Sequence, residues 1–426
     1  MSLSQKLIRK ASSMPALAGL KAKLRATLYD ASAAQRIEDK IAPLRLEMDS
    51  SEAVRVNFLI PEINDRTFFG GYIAKFNLAQ KLVDEGFKVR FVLVDACPVD
   101  EVSWRQMVAQ YEGIENIFDR VEVAACFDRS QALPVSPHDR VIATTWWTAH
   151  IAHNMAQQLG LDKFLYLIQE YEPFTFAMGS YFALADQSYT FPHRALFSSP
   201  QLQNYFKQND IGLYGAPWGD AHQAVPFENA ILRFDDNALL QARKPGEFKL
   251  LFYARPEAHA ARNMFEIAYL ALARAIEAGV FDGAKWEFHG IGSRQDDMPL
   301  PGGHSLKMLG KFGLNEYKQR LMQYDLGLSL MYTPHPSLLP LEMAAAGMWV
   351  VSNECENKNQ AELSAISTNL IAASPTIDGV VDKLKWAAEH VDDEQARRQG
   401  AKVNWASSWQ DAFNNEKISL IKQWLQ

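Results

Sequence analysis

Arg255, Arg262, Lys311, His335, Ser337 and Glu342 are the second-half residues whose types and positions could do chemistry together. The last three lie in one stretch, Y-T-P-H-P-S-L-L-P-L-E-M-A-A-A-G-M-W-V-V-S from Tyr332 to Ser352. It reads as a strand end, a tight polar turn, a helix beginning near Pro340, a glycine stop at Gly347 and an apolar strand from Met348 to Val351. A turn opening a helix offers unpaired N–H groups and the positive end of the helix dipole to an anion. Glu342, expected in the first helical turn, cannot bind phosphate. A ligand carrying both phosphate and hydroxyl groups, such as a nucleotide sugar, would satisfy both features.

Cations fall where such a ligand would need them. Arg255 ends a predicted strand in Y-A-R-P, Arg262 follows seven residues later, and Lys311 ends another strand in L-G-K-F. Parallel topology brings strand ends to one edge of a sheet, so these residues and the helix start could cradle a diphosphate without a metal. The plain alternative is that each sits in solvent, as most Arg and Lys do. In H-G-I-G, Gly290 and Gly292 would let a base or phosphate approach the backbone, or serve only a turn. His335, with Pro336, Ser337 and Leu338 around it, could hydrogen-bond a sugar hydroxyl.

The first half carries a second set. Gly70 and Gly71 follow an apolar strand and would contact phosphate or sugar, or merely permit a tight turn; no G-x-G-x-x-G fingerprint is present. Two aromatic, polar segments, T-T-W-W-T-A-H with Trp146 and Trp147, and Q-E-Y-E-P-F-T-F with Gln169, Glu170, Tyr171 and Glu172, follow predicted strands. Flat aromatics beside carboxylates suit a carbohydrate acceptor. Core packing is the rival explanation for the two tryptophans.

These residues are positioned by alternating strands and helices. Buried-strand runs at Arg55 to Pro61, Lys88 to Val94, Arg120 to Ala125, Arg140 to Thr145, Phe164 to Gln169 and Arg194 to Ser198 read as a doubly wound parallel sheet. The polar break A-R-K-P-G-E at 242–247 ends that domain. A second alternation begins at Phe248 and runs through the strands at Trp286 to Gly290, Leu306 to Leu309, Leu326 to Met331 and Asn369 to Ala372. The expected division is a basic amphipathic helical segment over 1–50, an acceptor domain over 51–245, a donor domain over 246–408, and a C-terminal helix over 409–426 crossing back to the first domain.

Composition bounds the partners. The 426 residues, 48% hydrophobic and 22% charged, supply two cores, and a net charge of -7 argues against a general nucleic-acid binder. Residues 1–28 hold six Lys or Arg and no Asp or Glu, with Leu17, Leu20, Leu24 and Leu28 at helical spacing. Such a helix would bind an anionic membrane face or pack on protein. As a signal peptide it is weak, because Lys21 and Lys23 cut its apolar run short. No apolar run is long enough to span a bilayer. Cys97, Cys126 and Cys355 show no zinc spacing, which fits a reducing cytosol.

The motif P-S-L-L-P-L-E-M-A-A-A-G-M-W-V-V-S resembles the nucleotide-binding motif of GT-B glycosyltransferases, in particular the retaining family 4. More narrowly, F-Y-A-R-P, L-G-K-F, Y-T-P-H-P-S and Q-E-Y-E-P-F are similar to WsaF-type rhamnosyltransferases, over about residues 50–425. The resemblance implies two Rossmann-like domains with an interdomain cleft, a dTDP-rhamnose donor on the second and a glycan or lipid-linked glycan acceptor on the first. It matches Arg255 and Lys311 to diphosphate-binding positions, Arg262 less closely, Glu342 to the carboxylate that binds the nucleotide's ribose, and Ser337 with Leu338 to the turn over the phosphates. With His335, the two cations Arg255 and Lys311 would carry catalysis, with no cofactor and no metal. One departure stands out: Pro334 occupies the position eight residues before Glu342 where family 4 commonly carries a glutamate. Two rivals share this architecture, a nucleotide-sugar 2-epimerase and a non-catalytic glycan-binding subunit. Calorimetry with dTDP followed by transfer assays separates all three.

Overall fold

The computed structural model describes residues 32–65, 68, 70–235, 239, 246–293, 296–310 and 312–426. The basic stretch 1–28, Lys311 and residues 242–245 of the expected linker lie outside the described residues.

In chain order the first unit contains β1 (Arg45–Met48), β2 (Val56–Ile60), β3 (Val89–Leu93), β4 (Glu122–Ala125), β5 (Ala132–Val135), β6 (Arg140–Ala143), β7 (Phe164–Ile168), β8 (His193–Phe197) and β9 (Ala224–Pro226). Seven of these form a parallel sheet in the order β4-β3-β2-β6-β7-β8-β9. Strands β2, β3 and β7 are buried along their whole length, as expected when helices cover both faces of a parallel sheet. β1 and β5 pair separately as a two-stranded ladder. The expected helical segment over 1–50 is therefore corrected at its end: residues 32–41 are helical, but 45–48 pair with a strand almost ninety residues later. Local periodicity carries no trace of that partner.

The second unit contains β10 (Glu247–Tyr253), β11 (Lys285–Ile291), β12 (Met298–Pro299), β13 (Ser305–Met308), β14 (Leu326–Leu328), β15 (Trp349–Asn353) and β16 (Leu370–Ala373). They form one sheet in the order β12-β13-β11-β10-β14-β15-β16, parallel except for β12. Arg397 is a buried tie within it. Its guanidinium donates to Asp325 Oδ1 at 2.8 Å and to the Gly347 carbonyl at 3.0 Å.

Two crossings join the units. The Trp405 indole N–H donates to the Asn229 carbonyl at 2.9 Å, and the Ile231 N–H to the Ala406 carbonyl at 3.0 Å. The C-terminal helix Asn415–Leu425 returns to the first unit, where Ile418, Ile421, Trp424 and Leu425 join the core of Phe58, Phe76 and Phe91. This burial fixes the last residues of the chain on the domain with which it began.

Candidate functional site

Both sheets reverse their winding at their first strand: between β2 and β6 in the first unit, between β10 and β14 in the second. Ligands of open parallel sheets lie beyond the carboxyl ends of strands at such points. Here the loops leaving those ends meet across one cleft. Gly70, after β2, lies against Leu338, after β14: a Cβ on Gly70 would come within 2.7 Å of Leu338 Cδ1. Arg262, after β10, approaches Glu170, after β7, at 4.0 Å. Asn357, after β15, donates to the Gln201 carbonyl, after β8, at 2.8 Å.

On the second-domain wall the helix spans Leu338–Ala345. It starts two residues before the expected Pro340, which moves Glu342 into the second turn. The missed signal is proline's preference for the first turn, where its absent N–H costs nothing. Ser337 precedes the helix at φ 66° and ψ 150°, and its side chain caps no N–H. That conformation is almost confined to glycine and costs on the order of 1–3 kcal/mol. The turn leading into it is fixed by two hydrogen bonds. The Ser337 N–H donates to His335 Nδ1 at 2.9 Å, and the Lys358 ammonium donates to the Met331 carbonyl at 2.6 Å. The result is an uncapped helix start facing the cleft, suited to an anion.

His335 is buried, which lowers its pKa to about 4 and keeps the ring neutral. Since Nδ1 accepts from Ser337, the ring proton sits on Nε2, turned toward the Ser198 backbone of the first domain. Pro336 is buried within the same turn. Arg255 donates to Glu257 at 3.1 Å and to the Tyr253 hydroxyl at 3.2 Å, and pairs with His259 at 2.9 Å. Gly292, at φ 108°, leaves the room that Arg255 and Tyr253 occupy.

Two expectations change here, and a third falls outside the described residues. Gly290 is inside β11, where a Cβ would meet Met308 Sδ at 2.3 Å, so it serves sheet packing and not ligand approach. Glu342 is already engaged: it accepts from the Tyr317 hydroxyl at 2.7 Å and, more weakly, from the Leu232 N–H at 3.4 Å, and burial raises its pKa to about 7. A carboxylate has further acceptor sites, so a hydroxyl bound here would share Glu342 with Tyr317. Lys311 lies outside the described residues.

On the first-domain wall, Gly70 and Gly71 open the helix Gly70–Asp84, so two helix N-termini face one another. The Gln169 amide donates to the Gly71 carbonyl at 3.0 Å. Glu170 and Glu172 line the same region; burial pushes each up to about pKa 7, opposed by Arg262 at Glu170 and by the Trp146 N–H and Lys75 at Glu172. Lys75 and Lys358 are buried cations whose pKa values fall to about 8.

The aromatic half of the expected acceptor surface is corrected. Thr145 and Thr148 form a capping box, so Trp146 and Trp147 open the helix Trp146–Gln158. Trp146 is fully buried among His150, Phe176 and Tyr181. Lys40 covers the Trp147 ring at 3.9 Å. Tyr171 packs on Tyr189 and Phe206 and donates to Asp186 at 2.8 Å. Core packing, the rival reading for the tryptophans, holds for Trp146, while Trp147 packs half-buried against the same core and Tyr171 is buried in it. What remains at the cleft is polar: Gln169, Glu170 and Glu172.

The WsaF N-terminal domain family matches residues 55–199, and the WsaF C-terminal domain family matches residues 248–385. The chain belongs to the WsaF family. A relative of this WsaF-family chain, the O-antigen biosynthesis protein RfbC of Myxococcus xanthus, is 31% identical over 263 residues. The match covers 59% of this chain but only 18% of that relative. Among solved structures, HepE of Anabaena in complex with UDP and glucose aligns at TM-score 0.54 and 14% identity, over 88% of this chain and 98% of that one. Sucrose-phosphate synthase of Thermosynechococcus elongatus aligns at 0.55 and 13%, over 88% and 98%. The pneumococcal O-GlcNAc transferase GtfA, in complex with UDP and GlcNAc, aligns at 0.54 and 11%, over 87% and 98%. The shared fold is GT-B.

Sequence reasoning missed Lys75, Thr333, Tyr317 and Lys358. Lys358 lies in E-N-K-N-Q, which reads as a solvated loop; only the fold buries it under Met331. Among the described residues, no group of three or more His, Cys, Asp or Glu is arranged to hold a metal.

Proposed function

We propose that this WsaF-family chain is a glycosyltransferase that moves a sugar from a nucleotide-sugar donor onto a glycan acceptor of a surface polysaccharide. The observation that carries this reading is the meeting of two helix N-termini across one cleft, Gly70 against Leu338, with Arg255 just past the end of β10 and Arg262 in the short helical turn Ala258–Asn263 that follows. That arrangement suits a diphosphate, and the hydrogen-bonding carboxylates beside it suit hydroxyl groups. HepE and GtfA, which share the fold, were solved with UDP and a sugar, and RfbC is named for O-antigen biosynthesis.

The donor we assign is dTDP-rhamnose, from the WsaF-type motifs F-Y-A-R-P and Y-T-P-H-P-S. Cleavage of the sugar–phosphate bond leaves a dTDP anion, stabilised by Arg255, by Lys311 and by the N–H groups after Ser337. The acceptor hydroxyl attacks from the same face, the leaving phosphate takes its proton, and the configuration is retained. The cations and helix ends take the charge, so no metal is needed.

A thermal-shift panel of nucleotides and nucleotide sugars tests the donor, with dTDP-rhamnose expected to give the largest shift. Arg255→Ala should lose about 2 kcal/mol or more of transition-state stabilisation, read as a thirtyfold or greater fall in kcat/KM. Native transfer by that variant would sink the assignment, and dTDP binding without turnover on any acceptor would favour a non-catalytic subunit. We further propose that residues 1–28 hold the protein on the inner face of the cell membrane. Flotation on anionic liposomes should then require them.

A further inference from the structure

We propose that Glu170, carried by the first domain, is the carboxylate that orients the glycosyl group of the donor. This rests on the nucleotide-sugar reading above and names a residue for it. Three polar atoms at the meeting of the two domains are buried without hydrogen-bond partners: Gln169 Oε1, Glu170 Oε1 and Arg262 Nε. Two accept and one donates. A phosphate, which only accepts, would satisfy the arginine and leave the two oxygens without a donor. A polyhydroxylated ring both donates and accepts, and so meets all three.

Position separates donor from acceptor. Glu170 belongs to the first domain, but Arg262, Lys358 and the Thr333 hydroxyl, all of the second, help to hold its negative charge. Thr333 lies in the turn that runs through His335 and Ser337 into the helix Leu338–Ala345. If that helix start holds the diphosphate, the group bonded directly to the outer phosphate lies beside this turn, next to Glu170. A more distant acceptor would have no reason to meet a carboxylate held by these second-domain groups. Pro334, in the middle of the turn, supplies no side-chain hydrogen bond. The carboxylate that reaches the sugar therefore comes from across the cleft, with Arg262 as its counter-ion 4.0 Å away.

The test is Glu170→Gln, nearly isosteric, with Glu170→Asp beside it. Binding of dTDP, dTDP-rhamnose, UDP and UDP-glucose is measured by calorimetry, and transfer kinetics are followed against donor and acceptor separately. In the glutamine variant, affinity for the nucleoside diphosphates should stay within about twofold of native, which also shows that the variant is folded. Affinity for the sugar-bearing form should fall by roughly tenfold or more, the loss of a charge-assisted hydrogen bond. The aspartate variant should recover part of it, and acceptor KM should not change. Native affinity for the nucleotide sugar in Glu170→Gln overturns the proposal. So does an effect confined to acceptor KM. A native chain that binds none of the four probes overturns the nucleotide-sugar reading and this assignment together.

Discussion

Gly70→Ala tests whether the two helix starts must touch for the donor to bind. The new methyl carbon would stand 2.7 Å from Leu338 Cδ1, roughly 1 Å inside the contact distance of two carbons. Gly70 opens its helix, a place where alanine is well accommodated. Within its own domain, alanine can only help helix formation. The penalty arises across the cleft alone. Overpacking of this kind costs about 1–3 kcal/mol, and because the opposing atom is the end of a flexible side chain, about 1 kcal/mol is the reasonable figure. That is roughly a fivefold loss of donor affinity.

Calorimetric titration of dTDP-rhamnose against Gly70→Ala, Leu338→Ala and the double variant measures it. Gly70→Ala should bind about fivefold more weakly at a near-native melting temperature. In the Leu338→Ala background the same substitution should have almost no effect, a coupling of about 1 kcal/mol. Native affinity in Gly70→Ala would refute the argument. So would a loss that persists when Leu338 is gone, because the methyl would then be acting on something else.

Three further outcomes follow from particular residues. Ser337→Gly relieves the backbone strain at φ 66° and should be neutral or stabilising by up to about 1 kcal/mol in urea unfolding, whereas Ser337→Val should destabilise by about 1–3 kcal/mol. Glu342 has a pKa of about 7 against an ordinary 4.5, so the folded chain holds this proton more tightly than the unfolded one. Its contribution is complete below pH 4.5 and is lost as pH rises through about 7. The melting temperature of Glu342→Gln should therefore gain on native as pH is raised across that window, and a constant difference would contradict the assignment. Arg397→Ala strands Asp325 in the interior and should cost about 3–5 kcal/mol, read as a lower urea midpoint.

The alternation of the two sheets was legible because buried parallel strands are short apolar runs bounded by turn residues, and those runs survive in the linear chain. The helix after Ser337 and the strand whose end precedes Arg255 were legible for the same reason. What could not be read was which face of an element a residue would present. Trp146 stands beside a strand end in sequence, but the Thr145 and Thr148 capping box rolls it into the core. Gly290 looks like a turn glycine, yet β11 extends through it to Ile291 and Met308 fills the space above it. Lys75 and Lys358 look like solvated lysines and are buried. Glu342 looked free and is bonded to Tyr317. Apart from that local cap, each miss concerns a partner distant in sequence, which neither propensity nor spacing encodes.

The same distinction shows in how the two domains hold one another. Away from the cleft they are tied by well-formed contacts: Asn229 and Ile231 bond to Trp405 and Ala406, and four apolar side chains of the last helix lie in the first-domain core. At the mouth, Gly70 touches Leu338, Asn357 reaches one carbonyl, and Glu170 and Arg262 face each other at 4.0 Å without a hydrogen bond. Buried charges left in this state are a cost until something completes their hydrogen bonds. A ligand that supplies the missing donors and acceptors gains more from the closed mouth than from either wall alone. A ligand with greater affinity for this arrangement than for separated walls would draw the two domains together, through the incompletely bonded groups of Glu170 and Arg262.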